Sequence, residues 1–157
     1  MISLHVVPAG ELDRLSGLMM NAGPQFASSG AVAIQDRTPD LTFHEIRAEG
    51  RTVGMFKLDP RYHERHDFAK ADEIGLRGVL IDRDHQGKGY GLAAVRLLPD
   101  HVKITHPLAR AVLLTVNIKN GGAYRTYQRA GFVDTDERYL GGDLGPQHIM
   151  RLSLDHA

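Results

Sequence analysis

The alternation of apolar and polar residues predicts a chain in which strands and helices follow one another. Apolar residues occupy every second position over residues 2–6, which is the period of a half-buried strand. Over residues 9–20 they recur at helical spacing, and a second helix is predicted within residues 24–36. Residues 41–49 and 52–58 flank a glycine-containing turn, which predicts a β-hairpin.

The second half of the chain continues this alternation. The predicted elements are a strand at residues 74–81, an amphipathic helix at 89–98, a strand at 111–116, a helix at 122–130 and closing strands at 132–133 and 148–154. Pro99 is expected to stop or kink the first of these helices, and Gly131 stands where a C-cap glycine would end the second. The nearly all-apolar run at 111–116 is typical of a strand buried on both faces. The sequence therefore predicts a mixed α/β protein.

Length and charge limit the class of protein. With 157 residues, of which 42% are hydrophobic, the chain can bury its own core, and we predict one domain over residues 1–157. Lys plus Arg equals Asp plus Glu at 19 each, so no net charge favours nucleic acid or an anionic membrane as a partner. No apolar run approaches the ~20 residues of a membrane span, and the first residues carry no secretory signal, so we expect a cytoplasmic protein.

Cysteine and histidine usage restricts the chemistry. The chain contains no cysteine, which excludes disulfides, thiolate metal sites and cysteinyl intermediates. Residues 63–66 begin like the helix of a zinc protease, but that pattern needs histidine where Asp67 stands. We therefore expect no metal.

The residues that carry candidate chemistry are the glycines of residues 82–91, between a predicted strand and a predicted helix. Glycines there allow backbone N–H groups to face an anion at the positive end of a helix dipole. A glycine-rich loop without a ligand is the other interpretation. A P-loop is excluded, because Asp82 and Gly89 stand where its pattern requires Gly and Ser or Thr. Residues 89–94 fit the dinucleotide pattern G-x-G-x-x-A, but residues 101–133 contain no acid to bind a ribose.

Two motifs, in this order, resemble those of one family. Residues 86–91 have the form Q/R-x-x-G-x-G/A, and Asn117 is followed by Asn-Gly-Gly-Ala at 120–123, by Tyr127 and by Gly-Phe at 131–132. The chain thereby resembles the GNAT superfamily of acetyl-CoA-dependent N-acetyltransferases, and within it the small-amine acetyltransferases. The resemblance implies a mixed α/β GNAT fold. This fold has a central, mostly antiparallel, twisted sheet flanked by helices, with the cofactor at a splay between two central strands.

The resemblance also implies which residues hold acetyl-CoA. The strand before the glycine loop would pair with the pantetheine arm, and the N–H groups of the loop would take the pyrophosphate. The implied cofactor-binding residues are Val79, Leu80, Ile81, Gln86, Gly87, Lys88, Gly89, Tyr90, Gly91, Leu92, Asn117, Asn120 and Ala123. Asn117 is alternatively an ordinary strand-end amide, and Asn120 a helix N-cap that could serve both roles.

Catalytic roles are predicted for Tyr127 and Glu73. The resemblance puts Tyr127 where the general acid of the family stands, to protonate the departing thiolate; helical spacing alone would indicate a core tyrosine. Glu73 is the candidate base for the amine, with a solvated strand-start carboxylate as the alternative. A backbone N–H at Val79 or Leu80 is the expected donor to the oxyanion. Without cysteine, direct transfer in a ternary complex is the natural mechanism.

Arg77 is a charge on an otherwise apolar strand. Alternation predicts that it shares one face with Glu73 and Val79. A charge there is costly unless it is paired or borders a cleft. Arg77 is therefore either a substrate-side residue or the partner of an acid that the pattern does not identify.

The predicted function is transfer of an acetyl group from acetyl-CoA to a primary amine of a small molecule or peptide, without a nucleic acid or membrane partner. The resemblance also favours a homodimer. Two alternatives stay open. One is a noncatalytic acyl-CoA-binding module, and the other is an NADP-binding oxidoreductase that uses the 89–94 pattern with Arg110 on the 2′-phosphate.

Overall fold

The structure is a computed structural model that describes residues 1–20 and 29–154. Its strands are β1 (Ile2–Val7), β2 (Thr42–Ala48), β3 (Arg51–Asp59), β4 (Glu73–Ile81), β5 (Ala111–Asn117), β6 (Val133–Tyr139) and β7 (Gln147–Ser153). Its α-helices are α1 (Gly30–Ala33), α2 (Tyr90–Thr105) and α3 (Gly121–Arg129), and short 3-10 helices span Ala9–Leu15, Tyr62–Glu64 and Arg83–His85. These elements confirm the predicted mixed α/β class.

The seven strands form one sheet in the order β1-β2-β3-β4-β5-β7-β6. Every neighbouring pair is antiparallel except β4 and β5, which are parallel. Parallel pairing requires a long crossover, and α2 provides it between the end of β4 and the start of β5. The predicted, mostly antiparallel sheet is therefore confirmed.

The two parallel strands pair only at their first residues. Residues 73–75 of β4 lie opposite residues 111–113 of β5, and the register ends there, although both strands continue beyond it. The strands therefore diverge toward their C-terminal ends and open a gap in the middle of the sheet. This gap is the predicted splay.

The sheet separates two hydrophobic clusters. The first contains Leu98 and Val102 of α2, and Tyr127 of α3 packs against it. The second contains Leu15 and Leu80. The residues on either side of Leu80 contact the first cluster, so the two clusters lie on opposite faces of the sheet. Helices α2 and α3 thus cover one face, and the N-terminal 3-10 helix covers part of the other.

Several predicted helix bounds differ from the structure. Residues 9–20 form only the 3-10 helix Ala9–Leu15. Of the helix predicted at 24–36, residues 24–28 lie outside the described residues, and residues 29–36 contain the single turn of α1. In the described parts of the chain, no helix is long and apolar enough to span a membrane.

Helix α2 continues through Pro99 to Thr105, so of the two predicted outcomes, a stop or a kink at Pro99, the stop is wrong. Leu98 and Val102 are both buried, at 2% and 0% exposure. Burying them on the same helical face stabilises the longer helix by more than the one hydrogen bond that proline removes.

A β-bulge in β4 changes which side chains share a face. The pairing of β3 with β4 shifts register between Met55 and Lys57, so residues 78 and 79 together face one residue of β3. Gly78 has a φ of +61°, which favours glycine. The prediction that Arg77 and Val79 share a face is therefore wrong. Val79 packs against the first cluster, whereas Arg77 pairs with acidic residues outside it.

Candidate active site

The glycine loop connects β4 to α2 and has open space along its backbone. Gly87 and Gly89 both have a φ of +78°, which a residue with a side chain adopts only with strain. A Cβ atom at either position would meet no protein atom within 4 Å. The loop therefore has the free backbone surface that an anion cradle requires.

Among the described residues, the N-terminus of α2 has neither a capping side chain nor an acid in its first turn. Its N-cap, Gly89, offers no side chain for a capping bond, and its first turn contains no acidic residue. The first N–H groups of the helix and the positive end of its dipole are thus available to an anion. Gln86 donates from Nε2 to the carbonyl oxygen of Ile81 at 3.0 Å, so its side chain holds the loop against the end of β4.

A cavity of about 360 Å³, which we call the loop cavity, borders this segment. The predicted cofactor-binding residues that line it are Val79, Ile81, Gln86, Gly87, Gly89, Tyr90, Gly91, Asn120 and Ala123. Lys88, Leu92 and the Leu80 side chain line neither this cavity nor the one described next. Lys88 is exposed, and Leu80 is buried in the second cluster on the opposite face. For Leu80 only the backbone can serve the predicted role, whereas Lys88 keeps an exposed side chain on the loop.

A second cavity, of about 440 Å³, lies in the gap between β4 and β5, and we call it the splay cavity. It shares Val79, Asn120, Ala123 and Tyr127 with the loop cavity. The two cavities therefore meet at these residues. A single elongated ligand can extend from the glycine loop to this meeting point, and a second ligand can reach the same point through the splay cavity.

Tyr127 lies where the two cavities meet. It is half-buried on α3, with its ring 5.7 Å from that of Phe132 between centroids. Burial raises the pKa of its phenol to about 12, so the hydroxyl keeps its proton at neutral pH. Within residues 1–20 and 29–154 the hydroxyl has no hydrogen-bond partner. It is therefore free to donate to a ligand.

The two asparagines of the second motif differ in their surroundings. Asn120 caps α3, since its Oδ1 accepts from the N–H of Ala123 at 3.4 Å, and its side chain also lines both cavities. Asn117 is 6% exposed. It donates to the carbonyl oxygen of Leu144 at 2.9 Å and accepts from the N–H of Lys119 at 2.8 Å. Asn117 thus fits the alternative of a strand-end amide, although it borders the splay cavity.

Glu73 lies away from both cavities, at the paired ends of β4 and β5. It is only 3% exposed, so the alternative of a solvated carboxylate is wrong. Its Oε2 lies 3.0 and 2.9 Å from Nε and Nη2 of Arg151, and its Oε1 accepts from the N–H of Lys70 at 2.9 Å. Because both oxygens are engaged at the closed end of the gap, the predicted role as base has no geometric support.

Arg77 lines the splay cavity and is also paired with acids. Its Nη2 lies 2.8 Å from Asp36, and its Nη1 lies 3.2 Å from Asp59. Burial alone would raise the pKa of Asp36, but hydrogen bonds from Thr38 and Lys57 hold it well below its usual range. Arg77 is therefore paired and also borders a cleft, and the acids that the pattern could not identify are Asp36 and Asp59.

Sequence reasoning missed several polar residues of the splay cavity, among them Tyr62 and Asp143. Tyr62 is 3% exposed, and burial raises its pKa to about 12. Its ring lies on Gly75, where a Cβ atom would overlap it. An aromatic residue within the charged segment 61–72 was the only available signal for Tyr62. No local signal marks Asp143.

His66, one of the two histidines at residues 63–66, packs against aromatic side chains. The ring of His66 lies 4.3 Å from that of Tyr62 between centroids. Among the described residues, no group of three or more His, Asp or Glu side chains could hold a metal ion.

The sequence matches the model of the acetyltransferase (GNAT) family over residues 16–132. The chain therefore belongs to this family, and the resemblance seen in its motifs is confirmed. It is similar to YbbJ, an uncharacterized N-acetyltransferase of Bacillus subtilis strain 168, with 31% identity over 128 residues, which are 81% of this chain and 77% of YbbJ. It is also 33% identical over 97 residues to the spermine/spermidine N(1)-acetyltransferase of the same strain, covering 60% of this chain and 61% of that relative.

Solved structures share the fold. Aminoglycoside acetyltransferase AAC(6')-Ib in complex with coenzyme A superposes with a TM-score of 0.72 and 16% identity, covering 98% of this chain and 95% of the other. The ribosomal-protein-S18-alanine N-acetyltransferase of Escherichia coli superposes with a TM-score of 0.69 and 18% identity, covering 100% of this chain and 96% of the other. These similarities confirm the GNAT fold.

Proposed function

We propose that this chain transfers the acetyl group of acetyl-CoA directly to a primary amine of a small molecule or peptide. The observation that carries the proposal is that two cavities meet at Tyr127 in the gap between β4 and β5. Membership of the acetyltransferase family supports acetyl transfer. Neighbours of the same fold, in complexes with acetyl-CoA or CoA, support the choice of donor.

The loop cavity fits the diphosphate end of acetyl-CoA. The open backbone at Gly87 and Gly89 and the uncapped start of α2 favour an anion without a basic patch. This agrees with the balanced charge of the chain. Beyond Gly75 the backbone of β4 is not paired with β5. An extended, amide-containing arm can therefore pair with it as an added strand.

Residues at the meeting point act on the reacting groups. Acetyl-CoA supplies a thioester whose acetyl group an amine can attack. The bulge removes Val79 from the regular β3–β4 ladder, and its N–H is assigned to stabilise the negative charge on the acetyl oxygen. Tyr127 donates its proton to the departing sulfur. Its pKa of about 12 keeps it protonated over the pH range in which an alkylamine of pKa ~10 becomes a free nucleophile.

The acceptor enters through the splay cavity. With Glu73 at the closed end of the gap, removal of a proton from the amine is assigned to water in this cavity. Small amines are the acceptors suggested by the relatives, one named for spermine and spermidine and another structurally similar one for aminoglycosides. A cytoplasmic location and a homodimer remain predictions of the sequence, and light scattering over a concentration series tests the dimer.

Calorimetric titration with acetyl-CoA tests the cradle. The change Gly89→Val places a side chain in the loop cavity, and we expect affinity for acetyl-CoA to fall by ~10-fold or more. Gly50→Val is the matched control, because Gly50 has a φ of +76° and equally open surroundings but lies in the β2–β3 turn. Wild-type affinity in Gly89→Val, or an equal loss in the control, would contradict the assignment.

Thiol release in the presence of a panel of amines, amino acids, aminoglycosides and peptides tests turnover. We expect at least one amine to release CoA. Binding of CoA without release by any acceptor would instead favour a noncatalytic module. Stabilisation against heat by NADPH but not by CoA would favour an oxidoreductase.

A further inference from the structure

We propose that Arg77 binds a carboxylate of the acceptor, so that the preferred acceptor is an amino acid rather than an amine without a carboxylate. This assignment rests on the proposed acetyl transfer and adds the chemical class of its acceptor. An ion-pair network beside the splay cavity supports it, because the network contains three cations and only two carboxylates. The cations are Lys57, Arg65 and Arg77, and the carboxylates are Asp36 and Asp59.

The two carboxylates are shared among the three cations. One oxygen of Asp36 lies 2.8 Å from Arg77 and 3.2 Å from Lys57. One oxygen of Asp59 lies 3.2 Å from Arg77 and also pairs with Arg65. In the part of the chain that the structure describes, no other carboxylate lies within ion-pair distance of these cations. The network therefore has one positive charge more than its carboxylates neutralise.

Arg77 brings this surplus charge to the cavity. Among the described residues it is the only cationic side chain that lines the splay cavity. Lys57 lies behind the cavity wall, since a Cβ atom on Gly78 would be 2.8 Å from its Cε. The Nε of Arg77 has no hydrogen-bond acceptor within residues 1–20 and 29–154, so the guanidinium keeps an N–H for a further oxygen. A ligand carboxylate can therefore bind Arg77 without displacing either acid.

Hydroxyl groups near Arg77 suit the same part of a ligand. Tyr62 and Thr115 both line the splay cavity, and their hydroxyl groups lie close to each other. Burial raises the pKa of Tyr62 to about 12, an effect that the hydroxyl of Thr115 and the charge of Arg77 partly oppose. Tyr62 therefore keeps its proton at neutral pH and can donate a hydrogen bond. A guanidinium and a neutral donor on one wall are complementary to a carboxylate.

A carboxylate on another element suits the amine of the same acceptor. Asp143 also lines the splay cavity, is exposed, and has no ion-pair partner among the described residues. It belongs to the connection between β6 and β7, whereas Arg77 belongs to β4. Because charges of both signs border one cavity of about 440 Å³, a single small zwitterion is complementary to it. An amine without a carboxylate would leave the surplus charge at Arg77 unbalanced.

The test compares two amino acids with their own amides: L-leucine with L-leucinamide, and 5-aminopentanoate with 5-aminopentanamide. Each pair differs only in the carboxylate, and the two pairs place it at different distances from the amine. Dissociation constants are measured by NMR titration of the protein saturated with CoA at about pH 6.5, where all four amines are mostly protonated. We expect the acid of at least one pair to bind about 10-fold more tightly than its amide, the scale of a charge-assisted hydrogen bond. Added salt should reduce this preference.

Two substitutions test the network. Arg77→Gln leaves Lys57 and Arg65 to balance the two acids, and it should reduce the preference for the amino acid to about twofold or less. Lys57→Met keeps the length of a side chain that does not line the cavity. It should also reduce the preference, because the surplus charge is lost. Arg51→Gln is the matched control and should retain the preference, because Arg51 is an exposed arginine that lines neither cavity.

The proposal is overturned if neither amino acid binds more tightly than its amide, or if either network substitution leaves the preference unchanged. It is also overturned if Arg77→Gln weakens an amino acid and its amide equally, as displacement of β4 would. Its failure is distinguishable from that of the proposed function. Equal acetylation of an amino acid and its amide would contradict only the role of Arg77. Selective binding of the amino acid without release of CoA thiol would contradict only acetyl transfer.

Discussion

Acidification is predicted to destabilise the fold through His44, a buried histidine of β2. His44 is 0% exposed. Its Nδ1 lies 2.8 Å from Nε2 of His101, and its Nε2 lies 2.8 Å from Oγ1 of Thr42. Its ring stacks on Phe56 at 4.8 Å between centroids. Burial, with smaller effects from the charges of His101 and His106, lowers the pKa of His44 to about 3.

The magnitude follows from the gap between this pKa and the reference value of 6.5 for histidine. Between the two values the unfolded chain binds a proton that the folded chain does not, so the folded state loses stability as the pH falls. Each pH unit in this window removes about 1.4 kcal/mol of the free energy of unfolding. Lowering the pH from 6.5 to 5 should therefore remove about 2 kcal/mol, and the contribution is fully present above pH 6.5.

Urea unfolding of the wild type and of His44→Phe at a series of pH values measures this contribution. Phenylalanine preserves a ring against Phe56 but binds no proton. The variant should be less stable at neutral pH, because Thr42 and His101 lose a hydrogen-bond partner. It should then lose about 2 kcal/mol less than the wild type between pH 6.5 and 5. An equal loss in both proteins would refute the reasoning.

Two further changes test the structural assignments. Glu73→Gln should lower the free energy of unfolding by about 1 kcal/mol, because it removes the charge opposite the partly exposed Arg151. The same change should leave kcat unchanged. A drop of ~10²-fold in kcat, measured as thiol release, would restore Glu73 as the base. Gly75→Ala should destabilise the chain by about 1–3 kcal/mol in urea unfolding, since the added Cβ overlaps the Tyr62 ring; unchanged stability would contradict this packing.

The cofactor side of the site could be predicted from the sequence because its geometry is local. Gly87 and Gly89 belong to one short segment between a strand and a helix. The N–H groups of such a segment can face an anion that binds at the helix N-terminus. Asn120 is the N-cap of α3 and Tyr127 lies within that helix, so helical spacing sets their separation. Periodicity and motif spacing are sufficient for arrangements of this kind.

The acceptor side could not be predicted, because it depends on contacts between distant parts of the chain. Glu73 meets Arg151 across 78 residues of sequence. Tyr62 and Asp143 reach the same cavity from two separate connections. The bulge at Gly78 reverses the alternation of faces within β4, and nothing in the local pattern of apolar residues signals it.

The single-turnover rate of acetyl transfer in Tyr127→Phe tests the central claim most directly. The change removes only the hydroxyl, which has no hydrogen-bond partner among the described residues, and retains the ring against Phe132. Stability and the dissociation constant for acetyl-CoA should therefore change little. The rate of the chemical step should fall by ~10²-fold or more, the scale of general acid catalysis. A near-wild-type single-turnover rate would contradict the account and remove Tyr127 from the mechanism. Loss of acetyl-CoA binding with displaced packing of α3 would show that Tyr127 is a core residue instead.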